Sequence, residues 1–200
     1  MLIPLAGPWI LIQDHNSKTE RQMARTRRGT CFKLQFDPTD IARLAKSYGP
    51  EQDDGALAAG RRIFRGEYTR ENLTAIFEWK TKGRGRSRLM ANTDEEIADA
   101  LALAVRAKTE RAALAVLTGL HGVHVPVASA ILTAVDPERY TVIDFRALES
   151  LGSKSTDRSV NFYLDYLETC RRLAREHRIT LRDLDRALWQ WWGERDADTG

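Results

Sequence analysis

Leu117 to Leu151 reads LTGLHGVHVPVASAILTAVDPERYTVIDFRALESL, and the order of small, apolar and charged residues in it decides how the chain folds. A helical pattern runs out at Thr118–Gly119. Leu120-His121-Gly122-Val123-His124 follows as a tight turn, in which Gly122 can take a positive φ at little cost. A second helix starts at about Val125–Pro126, where proline is tolerated because the first N–H groups of a helix have no intrahelical partner. Ala128, Ser129 and Ala130 are small enough to let the two helices lie close. Two readings of the turn stand open. It is a plain αα-hairpin, or its N–H groups at a helix N-terminus receive a phosphate without reading base sequence.

Further along, the apolar run Tyr140-Thr141-Val142-Ile143 ends on Asp144, 18 residues beyond Pro126. A carboxylate at the end of such a run is expected to be partly buried, and then it needs a partner or a purpose. Arg146 is the neighbour that would simply neutralise it.

The rest of the chain is helical in pattern. Pro38–Tyr48 opens with a cap and a first-turn proline and stops at Gly49–Pro50. A helix over Asp54–Phe64 is stopped by Gly66, and Thr69 caps another that puts Leu73, Ile76, Phe77 and Lys80 on one face. Thr81–Arg88 (TKGRGRSR) is a basic loop, its two glycines arguing against helix. Asn92-Thr93-Asp94-Glu95-Glu96 caps a helix to about Ala107, and Thr109–Leu117 gives another. Val160–Arg175 carries a 3.6-residue period through Phe162, Tyr166, Leu167 and Leu173. Leu181–Trp192 ends the fold, with Leu184, Leu188, Trp191 and Trp192 inward. Only Thr30–Phe36 alternates like a strand, and one strand makes no sheet. The class is all-α: a leader over 1–36, partly disordered or packed on the core, a helical domain over 37–192, and a tail over 193–200.

With 42% apolar and 30% charged residues, 200 residues can bury a core without staples. Cys31 and Cys170 form no CxxC pair and read as free thiols, and the four histidines lack metal-ligand spacing, so no metal site is expected. The apolar start, Met1–Ile12, has no basic residues before it, is broken by Pro4, Gly7 and Pro8, and is too short to span a bilayer. A soluble, cytoplasmic protein without membrane contact is expected. Residues 1–93 carry 17 Lys and Arg against 10 Asp and Glu, whereas 94–200 carry 14 against 18. A polyanion would therefore meet the N-terminal half more readily.

Taken together, the hairpin and Asp144 resemble the signature of the helix-hairpin-helix DNA glycosylases. Their hairpin reads L-P-G-V-G, followed two residues later, in the lyase-type members, by a catalytic lysine and then by an aspartate after a loop and a short apolar run. Here Leu120–His124 occupies the hairpin, Pro126 the lysine position and Asp144 the aspartate position, at the spacing of the endonuclease III branch. The close motif covers about 35 residues, from Leu117 to Leu151, and the helix order fits from roughly 37 to 192.

The resemblance implies a two-lobed helical bundle with a cleft, in which Asp144 is the catalytic carboxylate and duplex DNA presents a flipped-out base. It implies phosphate contact through Gly122, Val123, His124 and Val127, with N–H groups of Gly122, His124 and Val127 as donors. A monovalent cation could sit on the carbonyls of Thr118, Leu120 and Val123. In relatives the loop after the Phe77–Thr81 helix fills the gap left by the base, which makes Trp79 and Lys80 candidates for stacking and phosphate or pocket contact. Arg84, Arg86 and Arg88 would add a basic loop on the backbone.

This sequence departs from the pattern in three ways. Pro126 has no amine for an imine, His124 replaces the second hairpin glycine, and the four-cysteine iron–sulfur loop is missing. The expected protein is a monofunctional, cluster-free and monomeric glycosylase leaving an intact abasic site, located with the nucleoid if bacterial. The alternative is a non-catalytic helix-hairpin-helix DNA-binding protein. Several bases fit: oxidised or alkylated purines, mismatched thymine or uracil, and modified cytosines. Gly122→Val is expected to cost DNA affinity more than stability. Trp189, Trp191 and Trp192 could form an aromatic platform, with core packing the favoured use.

Overall fold

Side-chain caps set most of the helix starts. Thr69, Thr93, Thr109, Asp144 and Ser159 each turn an oxygen onto the N–H three residues ahead, and at Thr93 the Glu96 carboxylate answers by accepting from the Thr93 N–H. The computed structural model describes residues 32–198, which form ten α-helices and no strand. They are α1 (Ile41–Ser47, entered through a 3₁₀ turn at Pro38–Asp40), α2 (Asp54–Phe64), α3 (Arg70–Thr81), α4 (Arg86–Leu89) and α5 (Asp94–Arg106). After these come α6 (Glu110–Leu117), α7 (Val125–Val135), α8 (Phe145–Ser150), α9 (Val160–His177) and α10 (Leu181–Asp198). The protein is all-α, and no described helix is long and apolar enough to cross a membrane.

The hairpin helix α7 lies at the centre. Val125 and every residue from Val127 to Ala134 are buried, which explains why it carries no charge. Helices α2, α3 and α6 pack on it. At the α2–α7 crossing a Cβ added to Gly60 would lie 1.9 Å from the Ala134 carbonyl oxygen, so only glycine lets the two backbones meet. The C-terminal helix α10 packs against α1 and α8.

Three expectations need correction. Within Thr81–Arg88, α3 reaches Thr81 and Arg86 starts the short α4, because Gly85 at φ +81 turns the chain straight into it. The chain does not fray at 193: α10 continues to Asp198. The described part of the segment before 37 packs on the core, as one of its two readings had it: Phe32 is buried and meets the rings of Phe162 and Tyr166 edge-on at 5.6 and 5.9 Å. The segment read as a strand pairs with no strand among the described residues; Lys33 and Gln35 donate their N–H groups to the carbonyls of Leu151 and Ser150 at 2.9 and 3.0 Å, satisfying the end of α8. Thr30, Cys31 and the leader before them lie outside the described residues, as do residues 199–200.

A candidate active-site pocket around Asp144

The run before Asp144 is extended, and side chains from three helices fix its backbone. Tyr163 and Tyr166 of α9, both fully buried, donate their hydroxyls to the carbonyls of Thr141 and Val142 at 3.0 and 2.9 Å. Ser129 of α7 accepts the Ile143 N–H at 3.2 Å, and Lys80 of α3 donates to the Ile143 carbonyl at 3.3 Å. Every one of these partners is a side chain because no second strand lies among the described residues to take the backbone groups. Asp144 follows directly, so its position is set by the hairpin helix, α3 and α9 together.

Asp144 caps α8, its Oδ1 accepting from the Ala147 N–H at 3.0 Å. Oδ2 faces the Lys80 ammonium at 3.3 Å, and the two side chains are 22% and 13% exposed. Burial by itself would push the Asp144 carboxyl up. The Lys80 charge, the Ala147 N–H and Arg146 outweigh it and hold the group below its ordinary value of 3.8, so it is a carboxylate at neutral pH.

This pair lines a pocket of about 300 Å³. Tyr48, Trp79 and Trp189 give it aromatic walls, and Lys80, Lys82, Arg84, Arg146, Arg182 and Arg186 face it alongside Asp144 and Asp185. Its floor is a buried ion network. Arg182 donates to Asp53 through Nε at 2.8 Å and also pairs with Asp185, while Arg186 Nη2 reaches the other Asp53 oxygen at 3.1 Å. Asp53 is fully buried and bonds no N–H of α2 with its side chain, despite standing at its cap position, because both oxygens serve the arginines. Burial raises the Asp185 carboxyl above its ordinary value against the pull of Arg182, and the Asp144 charge adds to the rise. A larger groove of about 980 Å³, lined by Arg139, Arg171 and Arg175 among others, shares only Arg182 with this pocket and lacks Asp144.

Arg146 does not pair with Asp144. Its guanidinium lies over the rings of Trp189, Trp192 and Phe145, at 4.6, 5.0 and 5.1 Å from their centroids. Lys80, 64 residues earlier in the chain, takes the role expected of it.

The hairpin forms as the sequence implies. Gly122 stands at φ +79, His124 precedes α7 in extended conformation, and Pro126 lies in the first turn. Buried Asn92 holds the turn: its Oδ1 accepts the His121 N–H at 2.8 Å and its Nδ2 donates to the His121 carbonyl at 3.1 Å. Basic helix α4 packs directly on the turn. A Cβ on Gly122 would sit 3.0 Å from the Leu89 nitrogen and 3.1 Å from the Arg88 Cβ. Gly122→Val would therefore press on α4, so a stability cost is expected beside the loss of affinity.

Val123 and Val127 turn inward, donating their N–H groups to the carbonyls of Leu120 and His124 at 3.1 and 2.9 Å. That leaves Gly122 and His124, whose N–H groups have no partner among the described residues, as the donors a phosphate could meet. The carbonyls of Thr118 and Val123 accept no described hydrogen bond, and that of Leu120 accepts one from Val123.

Of the other expected site residues, Lys80 and Trp79 enter the pocket, and Arg84 lies at its edge. Arg86 is exposed and paired with Glu78 at 2.7 Å, and Arg88 is exposed beside the hairpin. The C-terminal tryptophans divide: Trp189 lines the pocket, Trp191 stacks on Phe36 at 5.5 Å, and Trp192 donates to Glu149 at 2.9 Å. Sequence reasoning missed Asp53, Arg182, Asp185 and Arg186. The only signal of the last three was an Arg-Asp alternation on α10, which reads as a solvated helix face, and Asp53 stands at the cap position of α2, where it reads as a plain helix cap.

Comparison with known proteins finds no matching family model, no matching curated protein and no matching solved structure.

Proposed function

We propose that this chain is a DNA glycosylase of the helix-hairpin-helix type that excises a base from duplex DNA, with Asp144 as its carboxylate. One observation carries the reading. A partly exposed carboxylate, held ionised, lines an aromatic and cationic pocket, and α3 and α7 join that pocket to the hairpin. Cleavage of an N-glycosidic bond builds positive charge on the sugar, which a fixed carboxylate stabilises while it orients the attacking water. Trp79, Tyr48 and Trp189 offer ring surfaces to a base turned out of the stack. The free N–H groups of Gly122 and His124, with Arg84, Arg86 and Arg88, would grip the backbone. The proposed enzyme works as a monomer, with the pocket as the cleft between two lobes, a monovalent cation as an option at the hairpin carbonyls, and no iron–sulfur cluster.

The second reading, a DNA-binding module without chemistry, is favoured by one feature. Both Asp144 oxygens already have structural partners, as a plain helix cap would. Asp144→Asn separates the two, because asparagine keeps the cap on Ala147 but loses the charge. The glycosylase reading expects base release from a panel of lesion-bearing duplexes, and a loss of about 100-fold or more in the variant, with DNA affinity kept or slightly raised. Base release at the wild-type rate by the variant would remove Asp144 from the mechanism, and a wild-type protein that binds every duplex and releases nothing is the module.

Pro126 offers no amine, and of the two amines that line the pocket Lys80 is held in its ion pair with Asp144, while Lys82 is exposed at the C-cap of α3. The expected product is an intact abasic site, nicked only by alkali. A borohydride-trapped adduct that vanishes in Lys80→Gln would assign a lyase step to Lys80 instead.

A further inference from the structure

We infer that Arg146 is a receptor for a nucleotide phosphate, and that the pocket around Asp144 takes ring and phosphate as one unit. Three rings hold the guanidinium by their faces, and its N–H groups donate to no described residue. Contact with ring faces uses none of the five guanidinium donors, so they stay available to engage an oxyanion in bidentate fashion. An arginine fixed in this way has already lost much of its side-chain freedom, so little further entropy is lost on binding.

The surrounding charge points the same way. The two carboxylates of the pocket are each matched, Asp144 by Lys80 and Asp185 by Arg182. Lys82, Arg84 and Arg146 make no close ion pair among the described residues, Arg146 acting on Asp144 only through its charge at longer range, and all three line the same 300 Å³. Three unmatched cations around one small pocket repel one another until an anion enters. Tyr48, Trp79 and Trp189 are the walls beside them, so the anion that fits best is one attached to a flat ring. A nucleoside monophosphate unit has that chemistry, whether as a free nucleotide or as a link of a DNA strand. This assignment stands on the pocket alone and would hold for a chain that binds DNA without cutting it.

The test uses the full chain and follows tryptophan fluorescence and calorimetry. The ligands are deoxyguanosine 5′-monophosphate, deoxyguanosine, inorganic phosphate and a duplex carrying a stable abasic-site mimic. The monophosphate is expected to bind about tenfold tighter than either of its parts, and Arg146→Gln to abolish that advantage. Lys82→Ala with Arg84→Ala, two exposed residues without packing roles, should reduce it in part. Arg146→Lys keeps a charge over the rings but loses the fork, and it too should lose most of the advantage, which guards against a packing defect in the glutamine variant. If the free monophosphate shows no advantage but Arg146→Gln and Arg146→Lys weaken duplex binding about tenfold, the phosphate is that of the DNA backbone and the assignment of Arg146 holds. Unchanged binding of both monophosphate and duplex in the Arg146 variants overturns it, whatever the enzyme does to a base.

Discussion

Asp144 is a carboxylate held below its ordinary pKa in a pocket that burial alone would make hostile to charge, and the sign of that shift has two consequences. An acid whose pKa is lower folded than unfolded adds stability above the unfolded value and loses it as pH falls through the folded value. The Asp144 contribution is thus whole at neutral pH and disappears only below about 3.8. If Asp144 is the catalytic base, single-turnover excision should show no acid limb from it between about pH 5 and 8, the range in which it stays ionised. A rate that falls with a midpoint near 6 and loses that midpoint in Asp144→Asn would contradict the ion pair with Lys80. Asp144 and Lys80 were both legible as candidates from their chain positions. Their pairing was not, since local sequence does not encode a contact between α3 and the cap of α8. Arg146 was misread for the same reason: its ring partners come from α10, more than forty residues downstream.

Helices were legible where caps and period agree, as at Thr69, Thr93 and Thr109. Two short ones were not. Helix α4 follows Gly83 and Gly85, residues that usually break helices, and α8 has only six residues, too few for a period to show. Close approaches between elements are equally invisible in sequence, and two glycines allow a test. Alanine has the better helix propensity, by about 1 kcal/mol over glycine in a helix interior. At Gly60 that gain is overwhelmed, because the new Cβ would meet the Ala134 carbonyl at 1.9 Å. Gly60→Ala should destabilise the protein by about 3 kcal/mol or more, read from denaturant unfolding. Gly122→Val combines a positive φ with contact against α4 and should cost about 2 kcal/mol in the same experiment, as well as DNA affinity. Wild-type stability in Gly60→Ala would mean that α2 and α7 do not cross where described.

At the scale of the whole molecule, the basic surplus of residues 1–93 acquires a location only in the fold. Helix α4 and the loop before it place Arg84 at the pocket and Arg88 against the hairpin, with Arg86 tied to Glu78. Neutralising all three should lower the slope of log affinity against log salt by about 2 to 3 units, one Debye-screened contact per arginine and less for the paired Arg86. Duplex binding with no salt dependence in the wild type would remove DNA as the partner. Composition says only which half of the chain a polyanion would meet more readily; the contact of α4 with Gly122 sets the basic helix beside the hairpin.

The two N–H groups that Lys33 and Gln35 lend to the end of α8 make a splint out of a segment with no helix of its own. A shortened version of the protein starting at Asp37 would keep every described helix and lose that splint, together with Phe32 from the core. Its helical signal should match that of the full chain, while hydrogen exchange at Leu148–Ser153 quickens and any activity dependent on Asp144 declines. For anyone trimming the chain to crystallise it or to fuse it to another protein, a cut after Phe32 removes a ring that the core holds.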